Sequence, residues 1–154
     1  MSARSKARKR ALDICFESEL RGLRLDGTLA QRTDERAAEG TTLNPYTARL
    51  VQGVLAHQAE IDALLENYAV GWTLDRMPAI DRNLLRIGAY EILHVDDVPD
   101  EVAISEAVAL ARQLSTEESP GFVNGLLARL AQRHTADHSG GHSAGRSTGQ
   151  SPVT

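Results

Sequence analysis

The sequence predicts an all-α protein, a compact bundle of about seven helices, and three observations carry that expectation. Apolar residues recur every three to four positions along most of the chain, the spacing that lines one face of a helix. Asn, Ser, Pro and Gly stand where helices start and stop. The apolar share is 42% but only 4% is aromatic, so Leu, Ala, Val and Ile must fill the core, which suits packed helices better than sheets. No stretch alternates with period two between hairpin turns.

The first helix is expected over 5–21. Ala11, Leu12, Cys15, Phe16 and Leu20 share one arc, and Lys6, Arg10, Asp13, Glu17 and Arg21 fill the other. Arg8 and Lys9 fall on the apolar side, where a buried charge is costly, so the first turn is expected to project beyond the core. Gly22 ends this helix, and 28–38 reads as a weak, polar second one closed by Gly40. Asn44-Pro45 is an N-cap followed by proline at the first helical position, opening a third helix to about His57. A fourth covers 59–70, a fifth runs from Pro78 to about Leu93, and a sixth starts at Pro99. Asp100 and Glu101 suit its positive N-terminus.

Two schemes compete for the start of the seventh helix, about 120–133. Ser115 with Glu118 matches a capping box, but leaves Pro120 inside the helix. Ser119 as cap with Pro120 first removes that conflict, and we adopt it. It leaves Glu117 and Glu118 exposed and turns a helix N-terminus toward any nearby anion. From His134 the chain is rich in Ser, Gly, Thr and His without periodicity. The expected organisation is therefore one domain over 1–133 and a disordered tail over 134–154.

Most catalytic classes are excluded. There is no phosphate-binding Gly-rich loop, GxSxG elbow, HExxH or CxxC. Cys15 is a lone cysteine in an apolar arc, read as a buried structural thiol. His134, His138 and His142 have metal-like spacing but flank Gly140-Gly141, so a solvated tail is the preferred reading, with no metal and no cofactor expected. No apolar run reaches the roughly 20 residues that cross a bilayer, and acids interrupt any leader-like stretch, so a cytoplasmic protein without membrane contact is expected.

The net charge of −4 is unevenly made: +5 within residues 1–10 and −9 over the rest. A cationic extremity can neutralise phosphates with little sequence preference; it can also be only a solvated terminus. Phe122 lies at the edge of its apolar arc, either a core-edge ring or an exposed one on which an unpaired base stacks. Asp81 either answers its helix dipole or meets another protein.

These residues carry a resemblance. The spacing of Arg4, Lys6-Ala7-Arg8, Ala11-Leu12 and Phe16 resembles the opening helix of the NusB family of transcription antitermination factors. So do IDRNLLRIGAYE (80–91), DVPDEVAISEAVALA (97–111) and STEESPGFVNG (115–125), in matching order, over roughly residues 3–133. The resemblance implies two packed helical halves and binding to the boxA element of ribosomal RNA leaders. It also implies a heterodimer with NusE, a small-subunit ribosomal protein, and joining of RNA polymerase with other Nus factors. Carried over by position, it implies RNA contacts from Arg4, Lys6, Arg8, Tyr68, Arg86 and Phe122. It implies a NusE-facing surface with Phe16, Leu20, Asp75, Asp81 and Glu118. Ser5 stands where many relatives have arginine, Pro120-Gly121 replaces a bulkier polar pair, and the second helix has no clear counterpart.

Two other readings compete. A NusB-like domain also begins certain ribosomal RNA cytosine-C5 methyltransferases, whose catalytic domain is not expected in a chain of this length. A protein-only scaffold would make the basic arm incidental. Self-association as a homodimer is also open.

Overall fold

The computed structural model describes residues 2–147, with side chains through residue 137. Its helices are α1 (Ala3–Arg21), α2 (Leu25–Ala38), α3 (Pro45–Tyr68), α4 (Ala79–His94), α5 (Asp100–Leu114) and α6 (Ser119–Ser147), with a 3-10 turn at Leu74–Arg76. No strand occurs among the described residues. No helix among them is long and apolar enough to cross a membrane.

Six helices replace the expected seven because 45–57 and 59–70 are one helix. The break read from the sequence survives as a kink at His57, whose φ −113° and ψ 15° leave the helical region without ending the helix. α1 is capped by Ser2, whose hydroxyl accepts from the Ser5 amide, and ends at Gly22 with φ 64°, a left-handed conformation natural to glycine. Asn44 caps α3 by accepting from the Tyr46 amide. α6 continues to Ser147, past the boundary expected at residue 134.

Helices α1, α2 and α3 pack on one another, as do α4, α5 and α6; α4 joins the two groups against α1 and α3. Leu12, Leu50, Ile61, Leu65, Leu84, Leu85, Leu126 and Leu127 fill the shared interior. Two glycines permit the closest crossings. A Cβ on Gly53 would lie 2.1 Å from the Tyr90 ring, and one on Gly88 would lie 2.7 Å from Leu127. Cys15 is buried as expected, and desolvation pushes its thiol up to about 12, too high for a nucleophile at neutral pH.

Candidate nucleic-acid and partner interfaces

The inner arc of α1 is wider than its apolar residues suggest, because Ser5, Arg8 and Ser18 are buried with them. This corrects the expectation that the first turn projects free of the core. Arg8 is only 4% exposed, and its guanidinium donates two parallel hydrogen bonds to Glu91, Nε to Oε1 and Nη2 to Oε2, both at 2.9 Å. Glu91 also accepts from the Tyr46 hydroxyl, and Glu106 lies 3.4 Å from the far side of Arg8. Burial works against the cation, but the bonds and charge of Glu91 more than offset it, and the Arg8 pKa is raised. The Arg8 charge is spent on α4 inside the protein. Ser5, where an arginine was expected in relatives, donates to Glu106 at 2.6 Å on the same internal side.

The other cations of α1 differ. Arg4 is half-exposed, pairs with Asp97 at 2.9 Å and lies over the Tyr46 ring at 4.3 Å. Lys6 and Arg10 are exposed, Lys9 is half-buried, and none of the three makes an ion pair among the described residues. Lys6 and Arg10 meet Arg36 of α2, also without an ion pair, around a cavity of about 320 Å³ completed by Thr42 and Asn44. A neighbouring cavity of about 460 Å³ shares Arg10 and Arg36 and is bounded by Asp13, Glu35 and Glu39. Arg36 was missed from the sequence. Its helix reads as uniformly polar, and only packing against α1 singles this cation out.

A second site opens where α6 begins. Glu118 accepts the Phe122 amide, so α6 starts one residue earlier than the adopted scheme, with Pro120 still in its first turn. Ser119 does not cap the helix; its hydroxyl accepts from the Thr116 amide and donates to Asp81 at 2.8 Å, while Ser115 donates to the other Asp81 oxygen at 2.6 Å. Asp81 is 2% exposed. This corrects its expected place on a partner-facing surface, since both carboxylate oxygens hold the α5–α6 connection. Phe122 is half-buried and faces Trp72, their ring centres 6.3 Å apart at 55°. The two rings, with Met77, Pro78 and Glu118, wall a groove of about 430 Å³. Trp72, half-exposed, also escaped the sequence reading, although its being the sole tryptophan was a usable signal.

The remaining expected residues are dispersed. Leu20 is 74% exposed and Phe16 half-buried on the last turns of α1. Between them, Glu19 takes two 2.7 Å hydrogen bonds from Arg82, which also donates to the Leu74 and Met77 carbonyls. That link sets the end of α1 beside the turn holding exposed Asp75, and Met77 of the same turn lines the groove that reaches exposed Glu118. Arg86 is bound to Asp62 at 2.8 and 3.0 Å, so it is engaged internally. Tyr68 lines a different cavity from Phe122, beside Leu64 and His94. The side chains of His138 and His142 lie outside the described residues. Metal-ligating atoms do converge at one place among the described residues, His57, Glu60 and His94.

Cations on the outer side of α1 and α2, and a two-ringed groove at the start of α6, are the two candidate interfaces of this helical protein. The family model described as NusB family matches residues 5–132. The transcription antitermination proteins NusB of Arthrobacter sp. strain FB24 and Nocardioides sp. strain JS614 are each 58% identical over 132 residues. These alignments cover 86% of this chain and 95% and 96% of theirs. Among solved structures, T. maritima NusB superposes with a TM-score of 0.76 at 33% identity, covering 86% of this chain and 93% of its own. NusB in the complex of antitermination factors NusB and NusE with double-stranded RNA shares the fold, with a TM-score of 0.73 at 24% identity over 84% of this chain and 96% of that one. The chain belongs to the NusB family.

Proposed function

We propose that this chain is a transcription antitermination factor. It binds boxA RNA of ribosomal RNA leaders together with NusE and joins RNA polymerase with other Nus factors. The observation that carries the RNA-binding part is the cationic face of Lys6, Arg10 and Arg36, none of which makes an ion pair among the described residues, since a phosphate chain needs cations that the protein has not already paired. Lys9 and half-exposed Arg4 extend that face. Arg8 acts by anchoring α1, not by reaching RNA. The Trp72–Phe122 groove supplies flat apolar surface for an unpaired base, the usual means of holding single-stranded RNA. Leu20, Asp75 and Glu118 offer NusE an exposed surface of one apolar and two acidic side chains, and a homodimer would compete for it.

Phosphate contacts give affinity with little sequence discrimination, so the chain alone binds boxA weakly and NusE sharpens the binding. The test is a mobility shift with labelled boxA RNA at several salt concentrations, with and without NusE. Phe122→Ala costs roughly 1–3 kcal/mol of RNA affinity if its ring stacks on a base. Lys6→Ala lowers the single-strand salt slope by about 0.7 for the phosphate it releases. Tight boxA-specific binding by the chain alone, unimproved by NusE, would overturn the proposal. So would no boxA binding in the presence of NusE.

A further inference from the structure

Away from both interfaces, two histidines close on one carboxylate. His57 sits at the kink of α3, Glu60 follows one turn later, and His94 is the last residue of α4. His57 Nδ1 lies 3.4 Å from Glu60 Oε2, and His94 Nε2 lies 3.3 Å from Glu60 Oε1. The three ligand atoms are all within 4.8 Å of one another. A tetrahedral ion with bonds of about 2.0–2.1 Å holds neighbouring ligand atoms about 3.4 Å apart. The two imidazoles approach different oxygens of Glu60, so each nitrogen–oxygen pair by itself matches one such edge, and a small turn of the exposed carboxylate would bring a single oxygen to an ion held by both rings.

A second observation points the same way. His94 Nε2 is shut off from water and has no hydrogen-bond partner. Its approach to Glu60 is an ion-pair distance without hydrogen-bond geometry. Native proteins rarely leave a buried nitrogen unsatisfied, because that costs roughly 1–3 kcal/mol.

We propose that His57, Glu60 and His94 form a binding site for one divalent ion of the zinc class. Two imidazole nitrogens and one carboxylate suit zinc, whereas calcium and magnesium take oxygen ligands. Asp137, exposed on α6, lines the same cavity as Glu60 and His94 and can complete the coordination, as can water. The imidazoles now stack, with ring centres 3.9 Å apart at 22°, and Tyr90 flanks both. Parallel rings aim their lone pairs side by side, so capture of the ion turns one ring out of the stack. The ion would pin the kink of α3 to the end of α4, across the junction between the two helical groups. This proposal does not depend on RNA binding.

The experiment uses the full chain carrying His138→Ala and His142→Ala, which removes tail histidines able to chelate metal on their own. Zinc chloride is titrated in by calorimetry at neutral pH, beside magnesium chloride as control. One zinc ion per chain is expected, with a thermal midpoint that rises on zinc addition and falls back on chelation. His94→Ala and Glu60→Gln each weaken zinc binding roughly tenfold or more, as loss of one ligand from a small site requires. Both positions are partly exposed, and circular dichroism checks that the variants fold. Cobalt in place of zinc is expected to give the strong visible absorption of tetrahedral Co²⁺, lost in the same variants. Absence of saturable zinc binding would overturn the proposal, as would zinc binding that neither substitution weakens.

Discussion

Arg8 and Glu91 are full charges in the interior, and the protein accommodates them because each answers the other with two directed hydrogen bonds. Tyr46 takes up a further lone pair of the carboxylate. Removing one member of such a pair strands the other charge away from water. Arg8→Met should therefore destabilise the fold by about 3–5 kcal/mol in denaturant unfolding. Arg8→Met combined with Glu91→Leu should recover much of that loss, because no unpaired charge is left behind. A single variant as stable as the parent would contradict the internal role given to Arg8. The position of Arg8 on an apolar arc is legible in the sequence, but its burial is not, because the carboxylate that neutralises it lies 83 residues away.

Between elements, close approach is set by what is missing. The Tyr90 ring occupies the space a side chain at Gly53 would need, so α3 and α4 cross tightly there. Gly53→Ala overfills that contact and should cost about 1–3 kcal/mol by thermal or denaturant unfolding. Gly121 has no atom within 4 Å of its would-be Cβ, and Gly121→Ala serves as the tolerated control. A second inter-element tie is electrostatic. The hydrogen bonds from Arg82 hold Glu19 below the ordinary glutamate value of 4.5. A carboxylate with a depressed folded-state pKa stabilises the protein at pH above its unfolded value, and that contribution is lost as pH falls through the folded value. Glu19→Gln should therefore be less stable than the parent at neutral pH, with the gap narrowing below pH 4.5. A gap that stays constant down to strongly acid pH would sink this assignment. Boundaries marked by caps and stops were legible to within a few residues, because residues such as Asn44 and Gly22 act through neighbouring backbone groups, whereas the end of α6, which no such signal marks, was not. The kink at His57 was legible only as a break, since continuing a helix across it depends on packing against α4.

Over the whole molecule, charge is sorted by depth as well as by position along the chain. The cations crowded into the first ten residues divide into one that is buried and bonded, one paired at the surface, and three without an ion pair among the described residues. The α2 helix then adds Arg36 to the unpaired set. The all-helical class, the approximate helix placement, the buried thiol and the amphipathic arcs could be read from residue order, because propensity, capping and periodicity are local, whereas the count of seven fell to six once α3 continued through its kink. The aromatic groove and the arginine cluster could not. Trp72 and Phe122, like Lys6 and Arg36, are distant in the chain and meet only when helices pack. Whether a charge is free for a partner depends on which carboxylates the fold delivers to it, and residue order carries no measure of that distance.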